Sequence, residues 1–322
     1  LSDTPTSEAE PTPTIPSGAL ATFYRVTFGS NTDYLKGSGY NISWDNDTKG
    51  ILRYIPETDQ LDVMTRITSP SYAKSSIYPV TINGRLFSYR DWSSTDLWDV
   101  DEMDIVTGNT LGTNVFTAAS FTVAGDRLYY RTPINRDLFG NPRGGGRLRA
   151  VGLGTLNEED LSLPGVRLRG VGDDLISFAD NTIIQRDPVT GAGVSSKTLS
   201  LRLMQSIWPS ERHIFYGGNA LYWAVDQRVP NQIAILKVSL DGSFKQLTIV
   251  NLQEGEDGVL IYDAQEWVAI GLTGTEPPRG YIVKRVLLYN TETQVLEEIE
   301  INQNIPPSGA DVGWRFQIAI MP

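Results

Sequence analysis

Residues 82–111 read INGRLFSYRDWSSTDLWDVDEMDIVTGNTL. Across Arg85–Tyr89 the residues alternate, with Leu86 on one face and the aromatics Phe87 and Tyr89 on the other. Period two with aromatic residues predicts a strand. Gly84 stands just before it, where a hairpin turn needs a residue that accepts positive φ. Leu97–Ile105 reads as a second strand, and Thr107-Gly108 closes a tight turn into a third strand near Leu111.

Working outward, copies of both halves of this unit recur. The strand after the glycine returns as GDRLYYRT at 125–132 and GNALYWAV at 218–225, and more loosely as DDLISFAD at 173–180 and AQEWVAIG at 264–271. The turn returns as IPETDQL at Thr58, VGLGTL at Gly154, DPVTGAGV at Thr190, VSLDGSFKQL at Asp241 and YNTETQVL at Thr291. With Thr107, the successive separations are 49, 47, 36, 51 and 50 residues. Self-similar all-β units of about 40–50 residues mark a β-propeller, one four-stranded blade per unit.

The chain of 322 residues holds six such units after a tether of 18 residues. The expected organisation is therefore tether 1–18 followed by one propeller domain, 19–322. Residues 1–17, LSDTPTSEAEPTPTIPS, are rich in Pro, Thr and acid and have almost nothing to bury, so they are expected to stay disordered. Ala19–Thr27 is the first strand, and Ile51–Ile55 and Leu61–Ile67 form a hairpin across Thr58. Blade one then lacks an inner strand, which the C-terminal segment Trp314–Ile320 supplies, closing the ring. Blades two to six are expected over 76–116, 119–163, 166–203, 213–250 and 258–301. A seventh blade built from the Gly29–Gly50 insertion and the C-terminus is the alternative.

Net charge is -11. Nucleic acid is an unsuitable partner, because phosphate binding needs a basic face. The absence of cysteine excludes disulfides, zinc-thiolate sites and cysteine nucleophiles. No run of about 18 apolar residues offers a transmembrane helix. A Pro/Thr-rich tether ahead of a cysteine-free β domain resembles a bacterial lipoprotein past its lipidated cysteine. The expectation is an extracytoplasmic location, in the periplasm, outer membrane or cell surface, with membrane contact only through an N-terminal lipid anchor.

In a four-stranded blade the loop between strands two and three and the blade-to-blade connection share one face. The hairpins at Thr58, Thr107, Thr190 and Asp241 share the other. Irregular loops on a rigid scaffold are where binding usually resides. Three stand out. The first carries Arg131, Arg136, Arg143 and Arg147 against Asp137 alone. Guanidinium groups grip carboxylate, phosphate or sulfate with two donors; the bland alternative is that they pin a glycine-rich loop to neighbouring acids and carbonyls. The second is aromatic: Arg90-Asp91-Trp92, Tyr72 and Trp208-Pro209, which suit a sugar or an apolar partner, or simply pack between blades. The third is TGTEPPRG at 273–280, stiffened by paired prolines and carrying Arg279.

Catalytic signatures are scarce. His213 is the single histidine, so a histidine-rich metal centre is excluded, and no G-x-S-x-G elbow exists. Ser43–Gly50, SWDNDTKG, begins like a sialidase Asp-box but has Asp47 where the glycine belongs. Asp45 and Asp47, and separately Asp99 and Asp101, offer weak Ca2+ sites; no other cofactor is expected. Strand alternation puts Asp99 and Asp101 on one side and Glu102 and Asp104 on the other. Asn41 and Asn46 begin glycosylation sequons, relevant only in a eukaryotic source.

The repeated order of glycine, aliphatic, paired aromatics, loop, aliphatic strand and Thr-Gly or Asp-Gly turn resembles secreted bacterial propellers of the TolB-like and YncE-like kind. The resemblance spans residues 19–322 and lies in the fold signature, without site residues. It implies a noncatalytic binding or assembly scaffold outside the cytoplasm, monomeric, with a protein partner or a small anionic or carbohydrate ligand on the long-loop face. The alternative is a polysaccharide-active enzyme, a glycosidase or lyase, built on loop carboxylates and tryptophans.

Overall fold

A computed structural model of the chain describes residues 15–27, 49–67, 75–92, 97–117, 120–132, 134–136, 142–154, 158–164, 168–179, 182–199, 214–217, 220–227, 229–264, 266–276, 280–302 and 316–322. These residues form six four-stranded antiparallel sheets in a ring, plus one two-stranded ribbon. The count of six holds, and the C-terminal strand falls in blade one.

Blade one runs from the axis outward as β26 (Phe316–Ile320), β1 (Leu20–Thr27), β2 (Lys49–Ile55) and β3 (Gln60–Ile67). Blade two is β4 (Ser75–Ile82), β5 (Arg85–Trp92), β6 (Leu97–Met103) and β7 (Thr110–Thr117). Blade three is β8 (Ser120–Ala124), β9 (Arg127–Arg131), β12 (Arg147–Gly152) and β13 (Glu158–Pro164), with the ribbon of β10 (Ile134–Arg136) and β11 (Pro142–Gly145) inserted between β9 and β12. Blade four is β14 (Leu168–Val171), β15 (Asp174–Ala179), β16 (Thr182–Arg186) and β17 (Gly193–Thr198). Blade five is β18 (Ile214–Gly217), β19 (Ala220–Asp226), β20 (Gln232–Val238) and β21 (Phe244–Asn251). Blade six is β22 (Gly258–Ala264), β23 (Trp267–Glu276), β24 (Gly280–Asn290) and β25 (Leu296–Ile299).

The two sequence repeats now have structural meanings. Each copy of the strand signature is the second strand of a blade. Each copy of the turn signature joins the third strand to the fourth. In blade two the turn is held by one carboxylate: Asp104 Oδ1 accepts the N–H groups of Val106 (3.0 Å) and Thr107 (2.6 Å). Gly108, at φ 75°, then donates its N–H to the Asp104 carbonyl at 2.8 Å. Asp187, Val189, Thr190 and Gly191 repeat this arrangement in blade four. Asn290 does the same in blade six through Glu292 and Thr293, with Gln294 in the glycine's place. An Asx side chain that satisfies two backbone donors fixes such a turn without help from packing.

The core lies between blades. Apolar clusters join blades two and three (Phe87, Tyr89, Val123, Tyr130), three and four (Tyr129, Leu148, Leu168), four and five (Ile176, Trp223), and five and six (Tyr222, Ile261, Ile270). A larger cluster joins blade one to both its neighbours. Close approach is enforced at Gly170, where a Cβ would fall 1.6 Å from the Val123 carbonyl oxygen. Ring closure is by hydrogen bonds: Leu20 to Tyr24 of β1 pair with Ile320 to Phe316 of β26, and Gly18 N–H donates to the Met321 carbonyl at 3.0 Å.

Candidate functional site

On the hairpin face, the turns lock neighbouring blades together. Arg53 on β2 is buried, pairs with Asp62 at 2.8 Å, and donates from Nη1 to the carbonyls of Ile105 (2.7 Å) and Val106 in the blade-two turn. Tyr129 does the equivalent two steps round, donating its hydroxyl to the Pro188 carbonyl of the blade-four turn at 2.7 Å; burial pushes the pKa of this hydroxyl up to about 12. Nearer the axis, Asn83 and Gly84 both have positive φ, the pattern of a type I′ hairpin turn. Asn83 Nδ2 donates to the carbonyls of Val123 (2.7 Å) and Gly172 (2.9 Å), and its Oδ1 accepts the Gly172 N–H at 3.0 Å. A Cβ on Gly84 would stand 3.6 Å from the hydroxyl of Tyr262 in blade six. One turn of blade two thus bonds to blades three and four and comes close to blade six.

The six innermost strands carry, among their described residues, one carboxylate, Asp263, and one guanidinium, Arg169. Asp263 Oδ2 accepts the Tyr222 hydroxyl at 2.7 Å, while Oδ1 is buried without a hydrogen-bond partner. Burial raises its pKa, with the Tyr222 bond and the Lys237 charge opposing that shift. The group sits between blades five and six.

The opposite face carries the longest described projection, the blade-three ribbon. It prolongs the β9–β12 pair: Thr132 N–H donates to the Arg147 carbonyl at 3.0 Å, and Gly146 N–H donates to the Thr132 carbonyl at 3.1 Å. Above that base Ile134 pairs with Gly145, Asn135 with Gly144 and Arg136 with Pro142, the register shifting between Asn135 and Arg136. The backbone therefore brings Arg136 and Arg143 to the outer end of the ribbon and Arg131 and Arg147 to its base. Arg131 Nε is buried without a hydrogen-bond partner. Arg147 is mostly exposed and pairs with Asp160 at 3.1 Å.

The other candidates are placed apart from this cluster. Arg90 lies at 3.4 Å from Asp99 within blade two. Asp101 accepts the Thr113 hydroxyl at 2.6 Å, Glu102 binds Arg85 at 2.6 Å, and Asp104 holds its turn. The four acids thus have separate partners, and no group of three or more metal-ligating side chains forms among the described residues. Trp92 ends β5; its side chain, and Trp208, Arg279, Asp45 and Asp47, lie outside the described residues. Trp98 and Trp223 are inter-blade tryptophans: Trp98 meets Phe121 of blade three edge-on at 6.0 Å, and Trp223 is buried against Phe178 of blade four.

Sequence reasoning missed the cleft between blades five and six. It has a volume of about 200 Å³ and is lined by Ile249, Val250 and Asn251 of β21 and by Arg285, Leu287, Leu296 and Glu298 of β24 and β25. Arg285 is gripped by buried Glu256 through two bonds of 3.0 Å, and it approaches the exposed Glu298 at 3.4 Å.

No family model matches the sequence, and no curated protein matches it. Among solved structures the chain is similar to protein lmo1340 of Listeria monocytogenes EGD-e, with 10% identity, 90% of this chain and 97% of that chain covered, and a TM-score of 0.39. It is similar to Citrobacter koseri AztD, with 9% identity, 94% and 98% coverage, and a TM-score of 0.42. Myxococcus xanthus glutaminyl cyclase has 12% identity, 77% and 97% coverage, and a TM-score of 0.31. The chain is a six-bladed β-propeller on its own sheet topology.

Proposed function

We propose that this propeller is a noncatalytic, exported scaffold that holds an anionic ligand or an acidic protein surface on its long-loop face. The blade-three ribbon carries this reading: residues 131–147 hold four arginines, Arg131, Arg136, Arg143 and Arg147, and one acid, Asp137, in a chain of net charge -11. Guanidinium forks give such a site its preference for carboxylate, phosphate or sulfate over neutral ligands. Export accords with a cysteine-free all-β chain and a Pro/Thr/acid-rich first segment.

The competing reading, hydrolysis or cleavage of polysaccharide, requires two carboxylates about 5–10 Å apart in an open site. The inner strands contribute Asp263, shut between two blades, and that weighs toward binding. The test is titration calorimetry with inorganic phosphate, sulfate and polyglutamate. Arg136→Glu combined with Arg143→Glu is expected to weaken binding by about tenfold or more, with thermal unfolding unchanged. Binding of all three probes at wild-type strength by the variant makes the ribbon mere scaffold.

A further inference from the structure

Asn83-Gly84 is the single Asn-Gly step in the chain. The pair suits the tight turn it makes between β4 and β5. It is also a pair that can modify itself. The side-chain amide carbon of the asparagine is an electrophile, the next backbone nitrogen is a nucleophile, and glycine has no Cβ to hinder the approach. The Gly84 nitrogen attacks Asn83 Cγ, its proton passes to the departing nitrogen, and ammonia leaves as a five-membered succinimide closes. Water then opens the ring. Hydrolysis at Cγ gives aspartate; hydrolysis at the main-chain carbonyl gives isoaspartate. The balance is one water consumed and one ammonia released, with no oxidant or cofactor.

The fold holds this reaction in check. Asn83 uses its whole amide: Nδ2 donates to the carbonyls of Val123 (2.7 Å) and Gly172 (2.9 Å), and Oδ1 accepts the Gly172 N–H at 3.0 Å. Val123 belongs to β8 and Gly172 to the turn between β14 and β15, so the side chain is tied to two other blades. The acceptors are themselves held. The Gly172 carbonyl also takes the Gly125 N–H at 2.9 Å, and the Gly125 carbonyl takes Arg85 Nη1 at 2.8 Å. Swinging Cγ over the Gly84 nitrogen breaks all three Asn83 bonds together. Gly84 is exposed, so water for the second step is at hand.

We propose that Asn83-Gly84 is a self-deamidation site that the folded ring keeps latent, and that its conversion frees blade two from the inner turns of blades three and four. A carboxylate at position 83 has no hydrogens to donate. It sets an acceptor against the Val123 and Gly172 carbonyls where two bonds stood. Isoaspartate also adds a methylene to the main chain of a turn that lies close to Tyr262 of blade six. The change is one-way, so each local opening of the turn adds to the converted fraction.

Peptide mass spectrometry of the full chain tests this, after incubation at mildly alkaline pH either folded in buffer or unfolded in urea. Conversion at Asn83 is expected to be about a hundredfold slower in the folded chain, because three hydrogen bonds must open together. Gly84→Ala is compared with wild type in urea, where its ability to fold does not matter, and is expected to convert more slowly. Asn83→Asp supplies one product directly and is expected to lower the thermal midpoint. Equal conversion rates in buffer and in urea, no conversion in urea, or an Asn83→Asp midpoint equal to that of wild type overturns the proposal.

Discussion

Gln294 occupies a left-handed conformation, φ 60°, at the turn position that Gly108 and Gly191 fill in blades two and four. A residue with a Cβ pays about 1 kcal/mol or more for that geometry. Gln294→Gly is therefore expected to stabilise the fold by about 1 kcal/mol, read as a higher midpoint in urea unfolding with an unchanged slope. A lower midpoint would mean that the Gln294 side chain makes contacts that outweigh the strain. The sequence displayed this residue, but only the aligned turns identify it as the exception, because the matching triplets TGN (107–109) and TQV (293–295) share only the threonine. Gly84 was legible as a hairpin glycine, and Asn83 stands beside it. The reach of Asn83 to blades three and four was not legible, since Val123 and Gly172 lie 40 and 89 residues away.

At the scale of the element, the third-to-fourth-strand turns carry an acid dependence. Backbone N–H donation by Thr107 holds the Asp104 carboxyl below the usual range, and donation by Thr190 does the same for Asp187. A carboxyl lowered in the fold contributes stability that is present above its unfolded value, about 3.9, and is lost as pH falls through the folded value. Asp263, raised by burial, works in the opposite direction: its contribution is fully present below about 3.9 and is lost as pH rises through its folded value. Thermal midpoints are expected to fall below about pH 4. Asp104→Asn with Asp187→Asn should flatten that fall, because Asn290 makes the same two bonds without titrating. Parallel midpoint curves for variant and wild type would remove the turns from the acid response. These turns and the second strands were readable because both rest on local chemistry: glycine at positive φ, Asx side chains and period-two aromatics. The blade-three ribbon was visible as an arginine-rich loop, whereas its pairing of Arg136 with Pro142 needed the register. The Arg285–Glu256 grip and the adjoining cleft were not readable, because their parts come from two blades and no local pattern couples them.

At the scale of the molecule, the ring depends on β26 lying beside β1. The blade count was legible because the period repeats, and closure followed from a three-stranded first blade and an unpaired last strand. Removing residues 316–322 is expected to destroy cooperative unfolding, seen as a broad transition in near-ultraviolet circular dichroism. A permuted chain that joins Met321 to Gly18 and opens in the exposed Asp241–Ser243 turn is expected to fold, since those ends already share a hydrogen bond. A truncated chain that unfolds as sharply as the full one would show that closure is dispensable.

That closure also sets a schedule for biosynthesis. Leu20 leaves the ribosome about three hundred residues before its partner Ile320, and loop-closure entropy must be met before so distant a pairing returns any stability. Until β26 emerges, the nascent chain holds an unpaired β1 edge, a surface open to chaperones and to wrong strands. The pairing of residues 316–320 with β1 therefore decides when the ring closes, however far the other blades have already folded.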